Sequence, residues 1–154
     1  MSVKKVVWRQ YQSIVDRAAH PAAALQRPSE GWLRTVRKAL GMSGAQLAEK
    51  MGVTRARVAQ AEAAELIGGI TLKSMQAAAE AMGCRFVYAI VPPQRIKDIV
   101  NAQARKKAAA IVATASKHMA LENQALSSKK ISEEVERLTR EFAHEMPSDF
   151  WNEK

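Results

Sequence analysis

Apolar positions along most of the chain recur at helical spacing, and the period changes once. Val7, Tyr11, Ile14, Val15 and Ala18 predict a first helix over Val3 to Ala19. His20-Pro21 and Arg27-Pro28 then bracket a linker, because a residue before proline is pushed away from helical dihedrals. Four short helices are expected next. Ser29 is placed to cap one over Glu30 to Leu40, stopped by Gly41. Ser43 caps Gly44 to Met51, stopped by Gly52, and Thr54 caps Arg55 to about Ala64. After Gly68-Gly69, Thr71 caps Leu72 to Met82, and Gly83 ends that helix.

The period then shortens to two. Cys84 to Val91 is rich in strand formers, Pro92-Pro93 ends it, and Phe86, Tyr88 and Ile90 share one face. A lone strand needs a partner for its hydrogen bonds. The two candidates are the same strand of a second copy, antiparallel about a dyad, or a partner protein offering an edge; the homodimer is the expected one. Beyond Pro93 a long helix is predicted from Gln94 to about Leu121, carrying Ile96, Ile99, Val100, Ile111, Val112, Ala115 and Met119. Ser127-Ser128 open a last helix in which Ile131, Val135, Leu138 and Phe142 fall on one face, and Pro147 closes it. The expected fold is mainly α, with one short β-strand and a C-terminal helical extension. It divides into residues 1–28, 29–83, 84–92 and 93–154.

Composition narrows the class. Hydrophobic residues make up 47% and charged residues 25%, an apolar content that a folded chain needs and a disordered one lacks. The single cysteine, Cys84, allows no disulfide framework, and no apolar run approaches a bilayer span. With no apolar core behind Lys4-Lys5, no signal peptide is expected, and a soluble cytoplasmic protein is. The 24 basic residues exceed the 15 acidic ones, for a net charge of +9, so an acidic polymer is the first partner to consider. That charge is uneven: net +6 over residues 1–40, +1 over 41–91, +5 over 92–120 and −3 over 121–154.

The stretch from Ser43 to Glu62 carries the chemistry. A helix-turn-helix needs a small residue where its two helices cross, and Ala48 supplies it. Four residues later it needs a residue that tolerates positive φ, which Gly52 provides, and six beyond that an aliphatic plug, Val58. Leu47, Met51, Val53 and Ala61 fill other inward positions. This stretch resembles the Cro and phage-repressor class of helix-turn-helix domains. The resemblance implies a helix from Thr54 lying in the major groove of double-stranded DNA. Carried over by position, Thr54, Arg55, Ala56 and Gln60 would face base edges and Arg57 a phosphate. Arginine suits the guanine edge, glutamine the adenine edge and an alanine methyl thymine. Ser43 at its helix N-terminus, with Arg34, Arg37 and Lys38 on the preceding helix, would contact the backbone. One domain reads half a site, so a dimer would read an inverted-repeat operator.

Further blocks extend the likeness: Gly31-Trp32, Ile70-Thr71-Leu72, Gly83 to Pro92, Gln103-Ala104-Arg105 and Met119 to Glu122. Together they resemble the mobile mystery protein A family over nearly the whole chain. That family is typically encoded beside a Fic-domain protein, mobile mystery protein B. The likeness implies an antitoxin that represses its own operon and holds a Fic-type AMP-transferase toxin inactive. Fic antitoxins often carry an inhibitory helix with Ser or Thr, three residues, Glu, then Gly or Asn; the Glu pairs with an active-site arginine and displaces the γ-phosphate of ATP. Here His118 stands at the first position, followed by Glu122 and Asn123. Residues 29–83 would then bind DNA, 84–92 dimerise, and 93–154 engage the toxin. The rival from another class is a stand-alone dimeric regulator.

Nothing else in the sequence points to catalysis. Cys84 has no His–Asp arrangement to activate it, His20 and His144 are read as structural or solvated, and no P-loop or dinucleotide fingerprint occurs. No enzyme activity, metal or cofactor is expected. Trp8, Trp32 and Trp151 are read as packing anchors, and Phe150-Trp151 as a terminus prone to fraying.

Overall fold

A computed structural model of the chain describes residues 2–123 and 126–153. It contains seven helices among the described residues: α1 (Val3–Ala22), α2 (Trp32–Ala39), α3 (Gly44–Met51), α4 (Arg55–Ile67), α5 (Leu72–Ala81), α6 (Ile96–Leu121) and α7 (Ser128–Glu145). The chain divides into two compact units, Pro21–Ala89 and Met1–His20 with Ile90–Lys154.

The 21–89 unit holds α2 to α5. Leu33 from α2, Leu47 and Ala48 from α3, Val58 from α4, and Met75, Ala78 and Met82 at α5 form one buried core. Three of its helices start where local chemistry places them. Ser43 and Gln46 form a reciprocal capping box, with the Ser43 hydroxyl accepting from the Gln46 N–H at 3.1 Å and the Gln46 side chain accepting from the Ser43 N–H at 2.8 Å. Thr54 and Thr71 accept from the N–H groups of Arg57 and Ser74.

The start of α2 differs from expectation. Ser29 does not cap it; the helix begins at Trp32, behind Gly31 at φ 82°, with no local side-chain cap. A carboxylate from elsewhere does that work, as described below. The linker is also shorter than the two prolines implied, since α1 runs through Pro21 to Ala22. A proline this close to the end forfeits one hydrogen bond of a helix that stops one residue later.

The short β-strand is not found among the described residues. Cys84 to Val91 is not helical, but no ladder forms. The physical reason is the one that made the strand need a partner: no second strand is present among the described residues.

The other unit is built on two long antiparallel helices. Val100 and Ala104, early in α6, pack with Phe142, Ala143 and Met146 at the end of α7, and Phe150 completes the cluster. Ala104 and Ala108, both fully buried, let the helices approach closely. The expected fraying at Phe150 does not occur. Phe150 is 1% exposed, Gln103 Nε2 donates to its carbonyl at 2.8 Å, and Lys107 Nζ donates to the Asp149 carbonyl at 2.7 Å. α6 starts at Ile96, two residues later than predicted, where the Asp16 carboxylate of α1 accepts from the Ile96 N–H at 3.0 Å.

Candidate nucleic-acid interface

α3, its turn and α4 assemble from the three requirements read in the sequence. Ala48 is buried at the crossing, and Val58 plugs the core. Gly52 takes φ 68°, and the next N–H, of Val53, returns to the Ala48 carbonyl at 3.0 Å, closing the helix end. An L-residue at Gly52 would strain the turn that aims α4.

The outward side of α4 carries Thr54, Arg55, Ala56, Arg57 and Gln60, all exposed. Arg55 and Arg57 form no ion pair among the described residues, so two cations sit uncompensated on the first turn of this helix. The Thr54 oxygen is the N-cap acceptor of α4.

The flanking cations divide. Lys38 Nζ lies 2.9 Å from Glu30 Oε1, and Arg34 Nε lies 3.8 Å from the same oxygen. The hydrogen bond from Lys38 holds the Glu30 carboxyl below the usual carboxylate range. These pairs are exposed and weak, so both cations stay free to exchange onto phosphate. Arg37, expected beside them as a backbone contact, is instead committed inward. Its Nε and Nη2 donate to the two Glu62 oxygens at 2.6 and 3.1 Å, and Nη1 donates to the Met42 carbonyl at 3.0 Å. Its side chain is 14% exposed, and the Glu62 bond raises the guanidinium further above its ordinary value. A fork held on three acceptors braces α2 against α4.

Glu65 was absent from the sequence-based candidates. It is the buried charged residue of the chain among the described residues, at 7% exposure. Its two oxygens accept from the N–H groups of Trp32 at 2.6 Å and Leu33 at 2.8 Å, capping α2 from the far end of α4. Gly31 leaves room for it, since a Cβ there would stand 2.9 Å from Glu65 Oε2. A signal was present: Val58, Ala61, Glu62 and Glu65 recur at helical spacing, so both acids fall on the apolar side of α4.

Residues 33–88 match the family model described as Helix-turn-helix. This stretch is a helix-turn-helix domain. No curated protein and no solved structure matches the chain. The matched family is one of DNA-binding regulators, and it covers every α3 and α4 residue named above. No helix among the described residues is long and apolar enough to cross a membrane.

The remaining candidates lie elsewhere. Beyond the core of the helix-turn-helix unit, Phe86 is half-buried and packs on it, while Tyr88 and Ile90 are exposed; the rings of Phe86 and Tyr88 stack at 5.8 Å. His118 sits in the last turn of α6, Glu122 is its C-cap, and Asn123 follows at φ 56°. All three are exposed. Asn123 thus has a local role, because asparagine tolerates the left-handed conformation at which helices stop.

Proposed function

We propose that the chain is a sequence-specific DNA-binding regulator whose α4 enters the major groove. Arg55, Ala56 and Gln60 read base edges, with Thr54 at the helix start. Arg57, Lys38, Arg34 and the N-terminus of α3 at Ser43 hold the phosphates. The observation that carries this reading is the pair of unneutralised arginines, Arg55 and Arg57, on the solvent side of a helix anchored from behind. Arg55→Ala is expected to cost about 1–3 kcal/mol of operator affinity and to relax specificity at one base pair. Titration of operator and scrambled duplexes at fixed salt measures it; equal loss on both duplexes would make Arg55 a phosphate contact. The protein acts as a homodimer through residues 84–91, reading an inverted repeat.

A finer reading rests on the resemblance to mobile mystery protein A. It makes the chain the cytoplasmic antitoxin of a Fic-type toxin, with residues 93–154 as the toxin-binding region and Glu122 as the inhibitory carboxylate beside His118 and Asn123. What supports it is that Glu122 is exposed and makes no ion pair among the described residues, so its carboxylate is open to an arginine. Glu122→Gly should then release AMP transfer by a co-purified Fic-domain protein while leaving the complex intact. If no complex forms on co-expression, the stand-alone regulator is the correct reading.

A further inference from the structure

Between α2 and α5 the helix-turn-helix unit carries an apolar groove of about 350 Å³. Trp32, Val36, Met75, Ala79, Met82 and Phe86 are among the residues that line it. The stretch from Cys84 to Val87 also borders it, as do Leu25 and Arg27. We propose that this groove is covered by residues 84–91 of a second copy, whose Tyr88 and Ile90 pack beside Phe86 of the first. The proposal rests on the homodimer suggested above and adds what fills the groove.

Three features argue for a second copy as the occupant. First, no N–H from Arg85 to Val91 donates a hydrogen bond among the described residues, although the run is made of strand formers. Such an edge is a template for another strand. Second, the alternation is self-complementary. In an antiparallel pair, directly opposite residues point to the same side of the ribbon. A dyad at Tyr88 sets Ile90 of the second copy opposite Phe86, on the face that Phe86 already turns to the core. Third, the charge pattern permits it. Arg85 is the one charged residue of the run, and this register places it opposite Val91 rather than against its own copy. In the single chain Tyr88 is 71% and Ile90 91% exposed, so these are the side chains left over for a partner to bury.

Trp32 reports directly on the groove. In the full chain carrying Trp8→Phe and Trp151→Phe it is the single tryptophan. Serial dilution is followed in parallel by sedimentation and by Trp32 emission. A dimer whose dissociation shifts that emission to the red at the same midpoint is the expected result. Tyr88→Asp and Ile90→Asp change residues that the single chain leaves in solvent, so helicity should be retained while self-association weakens by about tenfold or more. A dimer whose Trp32 emission stays fixed through dissociation overturns the groove but leaves the homodimer standing. Dimerisation unaffected by both aspartates overturns residues 84–91 as the contact. A monomer at every concentration overturns the groove and the homodimer together.

Discussion

The two units differ in the length of their helices and in what closes their cores. In the helix-turn-helix unit the helices are 8 to 13 residues long, too short to persist alone, and three of the four start at a serine or threonine cap. Their core mixes Leu, Val and Met from four helices. In the other unit α6 and α7 run for 26 and 18 residues; α7 also starts at a serine cap, Ser127, and the seam between the two includes alanines. Short capped helices fix the direction of a reading surface from within. A long hairpin with a small-residue seam instead depends on whatever large side chain closes its end, and that is Phe150.

The largest expected effect breaks the hairpin side of this contrast. Phe150→Ala removes the one large side chain of that unit that is fully buried among the described residues, and is expected to cost about 3–5 kcal/mol. Hydrogen exchange resolved by peptide should show the loss in α6, α7 and residues 147–153. If protection in α6 and α7 is unchanged, the tail is an accessory and the alanine seam holds the hairpin by itself.

Next in size is the non-local cap of α2. Glu65→Ala leaves two N–H groups without their acceptor, one of them, at Leu33, buried, and should cost about 2–4 kcal/mol. Glu65→Gln keeps an acceptor oxygen and should recover part of it. Thermal melts of both variants decide. A loss from Glu65→Ala no larger than that of an exposed alanine substitution on α4 would mean that water replaces the carboxylate.

This cap also marks the limit of what was legible. The starts at Ser43, Thr54 and Thr71 and the turn at Gly52 follow from residues adjacent in sequence, and so does the motif of Ala48, Gly52 and Val58. Both misplaced starts, at Trp32 and Ile96, are helices capped by a distant carboxylate, Glu65 33 residues away and Asp16 80 residues away. Nothing local to residues 29–32 or 94–96 announces such a partner. The same holds for Arg37: its position suited a phosphate contact, and only packing reveals Glu62 beneath it. For the strand, the β-propensity of Cys84 to Val91 misled: no ladder forms among the described residues, because propensity cannot supply a second strand. The face formed by Arg55, Arg57 and Gln60 was legible because exposure follows from the helical period once the core side is known.

The smallest expected effect concerns the surface of α7, where the hairpin carries local ion pairs. Arg137 Nη2 lies 2.6 Å from Glu134 Oε1, and Arg137 Nη1 lies 3.0 Å from Glu141 Oε2. The hydrogen bond from Arg137 lowers the Glu134 carboxyl below its ordinary value, and the same bond raises the guanidinium. A carboxyl that is more acidic in the folded state favours folding once the pH exceeds its unfolded value, and that contribution disappears as the pH falls through the lower folded value. Because the pair lies at the surface in contact with solvent, its worth is slight and salt-sensitive. Glu134→Gln should therefore melt marginally below the parent at neutral pH and low salt, with the gap closing on acidification below the ordinary carboxylate range or on adding salt. A gap that persists in acid would assign the effect to helix propensity or packing at residue 134, and not to the pair with Arg137.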